Sequence, residues 1–333
     1  MRILFESRPF HPSIGGIETV GRQLVEVWQL RGHLVDVVTQ TPLHNAAPLN
    51  TLNVIRQPSL TGWWKLFQKA DIFVQSGISL KSLPLGLFSR TPVVFIHHGM
   101  LPVDASTIGL RNQLKRWAAH LGTNVAVSSA VAQDLPKRLT TVIHNPVEPN
   151  LITSVKELKN PHQLLFVGRL VSVKGLDIAL HALTYLDESF TLTICGDGPE
   201  RKSLEQLAES LGVARRVCFE GWVDHAELRT HARQAGVQIV PSRYEPFGIV
   251  ALEAIALGCA VVASHTGGLP EAIGPCGTLV PSEDPKALAD GIKQAASSRK
   301  ELLAPRREHL AKFDIDAVAE QYLGVFKDTV SAS

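Results

Sequence analysis

The sequence predicts two doubly wound, Rossmann-like α/β domains that face a central cleft. Three observations lead to this fold class. The chain has 333 residues, whereas one domain usually has about 100 to 200. Short, continuously apolar runs alternate with helical patterns, which is typical of parallel sheets covered by helices. Each half also opens with a strand, a glycine-containing turn and a helix. Because open α/β sheets bind ligands at the carboxyl ends of their strands, we expect the ligand site in the cleft.

Seven strands and two helices are predicted in the first half, before a break rich in turn formers. The strands are expected at residues 2–7, 34–40, 52–57, 71–76, 93–97, 124–128 and 141–144, and the helices at 17–30 and 110–121. Residues 145–150 combine two asparagines with two prolines that resist helix formation. We therefore expect one domain at residues 1–150 and a second at 151–314.

The second half repeats the alternation with six strands. These are expected at residues 163–167, 191–195, 217–220, 237–240, 260–264 and 278–280, with helices at 175–186, 200–211, 226–234, 249–257 and 285–296. A last helical pattern, at 315–330, lies beyond the needs of the second sheet. We expect it to pack back on the first domain.

Composition excludes fibrous, disordered and membrane-spanning classes. The chain is 45% hydrophobic and 19% charged, with a mean hydropathy of +0.09. Its longest apolar stretch, residues 247–263, is interrupted by Glu253, and Met1 leads directly into a strand pattern without a signal-peptide pattern. The four cysteines show no metal-ligand spacing and are interpreted as reduced thiols. These features predict a cytoplasmic protein.

The first glycine-containing turn is a candidate phosphate site. Gly15 and Gly16 precede the first helix, where exposed amides and the helix dipole favour an anion. An ordinary tight turn is an equally good interpretation. Neither this turn nor residues 195–199 has the G-x-G-x-x-G spacing of dinucleotide folds, so nicotinamide chemistry is not favoured.

Two cations follow the first strand of the second half. Arg169 and Lys174 lie between a predicted buried strand and a helix, where desolvating two positive charges is costly without an anion. A nucleoside diphosphate would supply that anion. A salt bridge for Arg169 and a solvated Lys174 is the alternative.

Two carboxylates and a histidine complete the candidate site. Glu245 precedes a helix, and Glu253 lies about one turn into it within an otherwise apolar run, where an unpartnered carboxylate is rare. The alternative is that Glu253 is a capping or surface residue of an amphipathic helix. His97 and His98 lie at the end of a predicted strand, where a histidine is well placed for a ligand, although paired histidines are often ordinary strand-end polar groups. No third ligand at metal spacing accompanies them, so a zinc site is not predicted.

Taken in order, these motifs resemble the retaining glycosyltransferases of family 4, which have the GT-B fold. The motifs that carry the resemblance are Pro12-x-x-Gly15-Gly16, His98-Gly99, Gly168-Arg169-Leu170 with Lys174-Gly175, Gly196-Asp197-Gly198-Pro199, Glu245-Pro246-Phe247-Gly248 with Glu253, and Gly267-Gly268-Leu269-Pro270-Glu271. Each motif is weak alone, but together they span residues 12–271 in the family's order.

The resemblance implies a role for each candidate residue. Arg169 and Lys174 match the pair that neutralises the donor diphosphate, which amides near Gly15 and Gly16 approach from the other domain. Glu253 matches the carboxylate that holds the ribose. Glu245 and the amides of Phe247, Gly248 and Ile249 match the group that binds the donor sugar and phosphate. His98 matches the histidine near the reacting carbon. The nucleotide base is expected near the loop that contains Trp222 and Val223.

The function implied is transfer of a hexosyl or N-acetylhexosaminyl group, with retention, from a UDP- or GDP-sugar to a hydroxyl of a saccharide or lipid-linked acceptor. Neither a metal nor a cofactor is expected, nor a nucleic-acid partner, and polysaccharide or glycolipid synthesis is the expected setting. Because Glu245 and Glu253 are assigned to sugar and ribose, a front-face route is favoured over a covalent glycosyl-enzyme. A sugar-nucleotide epimerase or phosphorylase, and a nonenzymatic sugar-nucleotide-binding subunit, remain alternatives.

Charge is unevenly distributed along the chain. Residues 1–150 carry a net charge of +6 and residues 151–333 a net charge of −4. The pattern at 110–121 sets four apolar residues at helical spacing beside three basic ones. The apolar residues are Leu110, Leu114, Trp117 and Leu121, and the basic ones are Arg111, Lys115 and Arg116. Such stripes usually face a core, and this interpretation is favoured. Peripheral contact with an anionic membrane is the alternative.

Overall fold

The computed structural model describes residues 1–13, 15–43, 49, 51–100, 109–152 and 160–333. The chain divides into two compact units. Unit 1 comprises Met1–Pro146 and Ile315–Ser333, and unit 2 comprises Val147–Asp314. The division therefore falls just after Pro146, whereas the sequence placed it after residue 150. Ile14, within the first glycine turn, lies outside the described residues.

Unit 1 contains a seven-stranded parallel sheet with the strand order β3-β2-β1-β4-β5-β6-β7. Its strands are β1 (Arg2–Ser7), β2 (Leu34–Thr39), β3 (Asn53–Arg56), β4 (Ile72–Ser76), β5 (Val93–His97), β6 (Thr123–Ala126) and β7 (Thr140–Val142). The first five helices of the chain are α1 (Gly16–Leu30), α2 (Leu60–Phe67), α3 (Leu83–Phe88), α4 (Leu110–Ala118) and α5 (Ser129–Ala132). The sequence did not predict α2, α3 or α5.

Unit 2 contains a six-stranded parallel sheet with the order β10-β9-β8-β11-β12-β13. Its strands are β8 (Asn160–Val167), β9 (Thr191–Cys195), β10 (Val217–Gly221), β11 (Ala235–Val240), β12 (Ala260–Ser264) and β13 (Gly277–Val280). Its helices are α6 (Leu176–Leu183), α7 (Arg201–Ser210), α8 (His225–Gln234), α9 (Ile249–Ala256), α10 (Leu269–Ile273), α11 (Pro285–Ser297), α12 (Arg299–Leu303) and α13 (Arg306–Ala311). The doubly wound fold class is confirmed in both units.

The final helix, α14 (Ile315–Ser331), belongs to unit 1 and packs against α1. Fully buried Trp28 of α1 lies between its own sheet and α14: its ring centroid is 5.9 Å from that of Phe5, 5.9 Å from that of Tyr322 and 5.2 Å from that of Phe326. Its indole N–H donates to the carbonyl of Ala319 at 3.4 Å. One aromatic cluster thus joins the first and last helices of the chain.

The other face of the unit 1 sheet is covered by α2 and α3. Phe73 of β4 meets the rings of Trp63 and Phe67, and Gly86 of α3 lies so close to Phe73 that an added Cβ would come within 3.1 Å. These contacts bury one side of each helix. The short helices escaped sequence prediction because they mix buried and exposed apolar residues.

The preferred interpretation of α4 is wrong. Leu110, Leu114 and Trp117 are exposed rather than buried against the sheet, and Ala118 alone is buried within this helix. The stripe is therefore a surface. No helix within the described part of the chain is long and apolar enough to span a membrane.

Candidate active site

Glycines pack the carboxyl ends of the first three unit 2 strands tightly together. The Gly168 amide donates to the carbonyl of Cys195 at 3.1 Å, and the Gly196 amide to that of Gly221 at 2.7 Å. A Cβ on Gly196 would lie 1.9 Å from the Gly168 carbonyl oxygen, so no other residue fits there without displacing backbone. This close approach fixes the turn that carries Arg169.

Arg169 is exposed at the end of β8 and forms no ion pair with any residue that the structure describes. The salt bridge considered from the sequence is therefore absent among those residues. Its guanidinium is available to an anion at the carboxyl edge of the sheet.

Lys174 and Glu245 are brought together although they lie 71 residues apart in the sequence. The Lys174 Nζ lies 2.5 Å from Glu245 Oε2, which also accepts from the Ser242 hydroxyl at 3.3 Å. Glu245 is buried, with 8% of its surface exposed, and Lys174 is half-buried. Gly175, at φ +67°, allows the turn, since a Cβ there would lie 2.0 Å from the Pro241 carbonyl oxygen.

Arg243 holds the Lys174 turn in place, and sequence reasoning missed it. Its guanidinium binds both carboxylate oxygens of Asp177, at 2.9 and 2.7 Å, and Glu283 at 2.5 Å. It also donates to the Ser172 carbonyl at 2.5 Å. Hydrogen bonding to Asp177 raises the pKa of Arg243 further above its ordinary value. A bidentate pair of this kind restrains both segments.

A second glycine turn supports the backbone of Glu245. The Gly268 amide donates to the Glu245 carbonyl at 2.9 Å, and a Cβ on Gly267 would lie 1.9 Å from that same oxygen. Gly267 also has φ +55°, which favours glycine. The position of the Glu245 backbone thus depends on a turn 22 residues downstream.

Helix α9 begins just beyond Glu245. Gly248 precedes its first residue at φ +107°, where a Cβ would lie 2.7 Å from the Leu269 side chain. Buried Phe247 packs against Phe313, with 5.8 Å between ring centroids. The first amides of a helix, here from Ile249 onward, have no carbonyl partner within the helix and carry its positive dipole end.

Glu253, which lies about one turn into α9, lines a pocket. The pocket of about 360 Å³, counted with the solvent at its mouth, lies between α8, α9 and the sheet; its lining includes Arg229, Gln238, Val250 and Glu253. Burial raises the pKa of Glu253 to about 7, with a smaller contribution from the charge of Glu148. Arg229 opposes this effect and pairs with Glu148 at 3.2 Å.

The loop after β10 carries Trp222, which is 63% exposed, and half-buried Val223. It ends at Asp224, whose carboxylate accepts from the amides of Ala226 and Glu227 at 2.8 and 2.9 Å, while Glu227 accepts from the Asp224 amide. This capping box starts α8 and fixes where the loop ends.

In unit 1, His98 lies at the carboxyl edge of the sheet. Its Nε2 is 2.9 Å from the hydroxyl oxygen of Ser76, which ends the neighbouring strand. Burial lowers the pKa of His98 to about 4, so its imidazole is neutral near pH 7. The adjacent His97 is tied instead to Asn124 Oδ1 at 2.8 Å, and burial lowers its pKa to about 4 as well.

A buried carboxylate of β1 escaped the sequence analysis. Glu6 accepts hydrogen bonds from the Gln75 side chain at 2.8 Å and from the Ser82 hydroxyl, and burial raises its pKa. Gln75 also donates to the Ser79 carbonyl at 3.1 Å and accepts from its amide at 3.1 Å. The network therefore fixes the β4–α3 loop just beyond Ser76. In the sequence, Glu6 is a single polar residue near the end of a strand, and this gave no indication that it orders a loop.

The first glycine turn holds a carboxylate of its own. Glu18 accepts from the Ser13 hydroxyl at 3.1 Å, and a Cβ on Gly15 would meet its Oε2 at 2.5 Å. Gly16 begins α1, one residue earlier than the sequence predicted. An anion bound at Gly15 and Gly16 would therefore require Glu18 to turn away.

The structure thus gathers Lys174 and Glu245 in unit 2, next to the turn that supports them. Arg169, Val223, Phe247, Gly248, Ile249 and Glu253 lie in the same unit, whereas Gly15, Gly16 and His98 lie in unit 1. Among the residues that the structure describes, no group of three or more His, Cys, Asp or Glu side chains could hold a metal ion.

Comparison with known proteins defines the class. Residues 147–313 match the family model for glycosyl transferases group 1, and residues 14–151 match that for glycosyltransferase family 4. The two parallel α/β units, with these matches, define a glycosyltransferase of the GT-B fold. The chain belongs to the glycosyl transferases group 1 family, with a family 4 first half, and the resemblance seen in its motifs is confirmed.

Curated relatives agree with this assignment. The chain is 33% identical to an uncharacterized glycosyltransferase of Methanocaldococcus jannaschii, with 98% of each chain covered. About half of it, 48%, is 38% identical to glycogen synthase of Mycobacterium tuberculosis, covering 41% of that protein. A similar share, 49%, is 38% identical to D-inositol 3-phosphate glycosyltransferase of Corynebacterium urealyticum, covering 42% of it.

Solved structures share the fold at low identity. HepE of Anabaena in complex with UDP is 22% identical, with a TM-score of 0.80 and coverage of 98% of this chain and 100% of that one. Sucrose-phosphate synthase of Thermosynechococcus elongatus is also 22% identical, with a TM-score of 0.79 and full coverage of both chains.

Proposed function

We propose that this glycosyltransferase moves a sugar from a nucleoside diphosphate donor to a hydroxyl acceptor, with retention and without a metal ion. One observation carries the proposal: the Lys174–Glu245 ion pair of 2.5 Å, close in sequence to an exposed Arg169 that has no ion pair with any described residue. The two cations support binding of a diphosphate at the carboxyl ends of the strands, where open α/β sheets bind their ligands.

The proposed chemistry follows the charge of the leaving group. When the bond between the anomeric carbon and the diphosphate oxygen breaks, negative charge grows on the diphosphate. Preorganised cations stabilise that charge without reorganising during the reaction. Arg169 and Lys174 take this role, and Arg243 restrains the turn that presents Lys174.

The engagement of Glu245 supports a front-face route. Its Oε2 contacts both the Lys174 ammonium and the Ser242 hydroxyl, so attack on the anomeric carbon would first have to break a buried ion pair. In the proposed route, the acceptor oxygen bonds to the anomeric carbon on the face that the diphosphate leaves. The departing phosphate oxygen takes the acceptor's proton. Glu245, with the amides of Phe247, Gly248 and Ile249, holds the donor sugar and phosphate.

Glu253 is proposed to hold the ribose hydroxyls. Its carboxylate lines the pocket between α8 and α9, and ionisation there is costly unless a donor group replaces the lost water. Ribose hydroxyls are such donors. Val223, on the loop that precedes α8, is proposed to contact the base.

His98 is proposed to lie near the reacting carbon as a neutral group. Its contact with Ser76 orients the ring, and burial lowers its pKa to about 4, so the imidazole is uncharged near pH 7 before the donor binds. A neutral imidazole suits hydrogen bonding to a sugar hydroxyl. The amides near Gly15 and Gly16 complete the proposed phosphate contacts once Glu18 turns away.

Donor, acceptor and place are also proposals. The structures of HepE with UDP and with UDP-glucose support UDP-glucose as the first donor to test. A hexosyl or N-acetylhexosaminyl transfer to a saccharide or lipid-linked acceptor is proposed, in polysaccharide or glycolipid synthesis. The four free cysteines support a reducing compartment, and we place the enzyme in the cytoplasm.

Release of nucleoside diphosphate from UDP-, GDP- and ADP-sugars, with and without acceptor mixtures and EDTA, tests the proposal. We expect one donor class to be consumed in an acceptor-dependent way that EDTA does not abolish. Proton NMR of the product should show the donor's anomeric configuration.

The competing functions predict different results. Conversion of the sugar while it stays attached to the nucleotide would favour an epimerase. Donor binding without turnover, for every acceptor, would favour a binding subunit. An inverted product, or activity lost with EDTA and restored by manganese, would contradict retention or metal independence.

A further inference from the structure

One surface of unit 1 exposes an unusual number of large apolar side chains. Helices α2, α3 and α4 present seven of the sixteen large apolar residues that are exposed in the described part of the chain. Their exposed fractions run from 38% for Trp64 to 79% for Phe88. The seven, together called the outer helix face, are Leu60, Trp64, Leu87, Phe88, Leu110, Leu114 and Trp117.

These residues lie on one side of the sheet. The connections β3 to β4, β4 to β5 and β5 to β6 all run in the same direction along the strand order, so right-handed crossovers place α2, α3 and α4 on the same face. The connection from β1 to β2 runs the other way and places α1, with α14, on the opposite face. Contacts agree, since Trp64 of α2 lies 5.9 Å from Phe88 of α3, centroid to centroid.

The same layer is strongly basic. Across the described residues 57–100 and 109–121 there are seven Lys and Arg residues and one acidic residue, Asp71. Asp71 is already engaged, because its carboxylate accepts from the Arg2 amide at 2.7 Å. The seven cations are Lys65, Lys69, Lys81, Arg90, Arg111, Lys115 and Arg116.

These cations have little internal compensation. Leaving Arg116 aside, none of them forms an ion pair with a described residue. Lys115 instead lies near other cations: burial lowers its pKa, and the charges of Arg111 and Arg8 lower it further. A surface that combines several cations with exposed aromatic and leucine side chains complements an anionic, partly apolar partner.

We propose that the outer helix face binds the surface of an anionic lipid bilayer. The leucine and aromatic side chains enter the boundary between headgroups and acyl chains, while the surrounding lysines and arginines meet the lipid phosphates. A bilayer presents anionic headgroups and apolar acyl chains side by side, over an area large enough to contact all three helices. Membrane contact through this face requires no membrane-spanning helix.

Vesicle co-sedimentation of the full-length protein tests this inference without donor or acceptor, so that its outcome is independent of the proposed reaction. We expect binding to phosphatidylglycerol vesicles, weak binding to phosphatidylcholine vesicles, and loss of binding as salt rises. The triple variant Lys65→Ala, Lys69→Ala, Arg111→Ala should bind at least about tenfold more weakly. The charge-preserving pair Phe88→Ser and Trp117→Ser should weaken binding too.

A matched control removes three exposed lysines from unit 2: Lys202→Ala, Lys286→Ala and Lys300→Ala should leave binding unchanged. Equal loss in the control would show a nonspecific charge effect and overturn the assignment of this face. Equal binding to both vesicle types, or to neither, would overturn the proposal. Self-association abolished by Phe88→Ser, without vesicle binding, would assign the face to a second copy of the chain.

Discussion

At the residue scale, the two proposed phosphate cations differ in what they do for the folded protein. Lys174 neutralises buried Glu245, whereas exposed Arg169 has no ion pair with a described residue. Removing Lys174 leaves a buried carboxylate without its cation, which is destabilising. Removing Arg169 leaves the described contacts of the fold intact. Removing Lys174 should therefore lower both stability and turnover, whereas removing Arg169 should lower turnover alone.

We expect Arg169→Ala to lower turnover by about a hundredfold or more while leaving the melting temperature unchanged, because a charge-stabilising donor is lost. Lys174→Ala should lower both turnover and the melting temperature. Steady-state kinetics and thermal unfolding measure the two effects, with Lys202→Ala as the control. Normal turnover in both site variants would remove the diphosphate assignment.

Donor affinity should depend on the protonation of Glu253. Burial raises its pKa from 4.5 to about 7, so the folded protein binds a proton across this range that the unfolded chain releases. Unit 2 therefore loses stability as the pH rises from about 4.5 to about 7. Ribose hydroxyls favour the ionised carboxylate, so donor affinity should rise with pH up to about 7 and then level off.

Calorimetric titration of the donor between pH 5 and 8 checks this dependence. Glu253→Gln should weaken binding and flatten the profile, because the amide does not titrate. Glu209→Gln, at an exposed position of α7, should keep the wild-type profile. An unchanged profile in the Glu253 variant would assign the titration to another group.

At the element scale, the turns of unit 2 require glycine for two different reasons. Gly267 and Gly212 both have positive φ, +55° and +72°. A Cβ on Gly267 would collide with the Glu245 carbonyl, whereas one on Gly212 has nothing within 4 Å. An alanine at Gly212 would therefore introduce backbone strain alone, whereas an alanine at Gly267 would also displace the Glu245 backbone.

Gly212→Ala should cost about 1 kcal/mol, the strain of the left-handed conformation alone. Gly267→Ala should destabilise unit 2 more and should also weaken donor binding, because it pushes the Glu245 backbone away from Lys174. Chemical denaturation and calorimetry measure the two quantities. Equal stability losses with unchanged donor affinity would show that the Gly267 turn does not position the site.

The elements that could be predicted from sequence were those that show in the pattern of neighbouring residues. Strand patterns identified all thirteen strands to within three residues at each end, although edge strands such as β3 and β7 are only partly buried. Arg243 could not be found, since its partners Asp177 and Glu283 lie 66 and 40 residues away. The amphipathic pattern of α4 likewise identified a helix without showing whether its apolar stripe was covered.

At the scale of the whole molecule, the chain begins and ends in the same unit. Unit 1 is completed by α14, which follows all of unit 2 in the sequence. Trp28 is fully buried through contacts with Tyr322 and Phe326. Unit 1 therefore acquires its complete core when the last helix is added.

Ending the chain after Asp314 should expose Trp28 and lower the stability of unit 1 while leaving the contacts within unit 2 intact. Losing several buried aromatic contacts costs several kcal/mol, on the order of the stability of a domain. Thermal unfolding should then show an early transition that the full chain lacks. Removal of exposed Ala332 and Ser333 is the control, and identical curves for all three chains would contradict this role of α14.

The central claim is that unit 2 binds the diphosphate of a nucleotide donor through Arg169 and Lys174, and calorimetric titration with UDP, GDP and ADP tests it most directly. We expect one of the three to bind the wild-type protein in the presence of EDTA. In the Arg169→Ala, Lys174→Ala double variant, that affinity should fall by about two orders of magnitude or more, because two charge-assisted contacts are lost. Binding of none of the three, or equal affinity in the folded double variant, would contradict the claim.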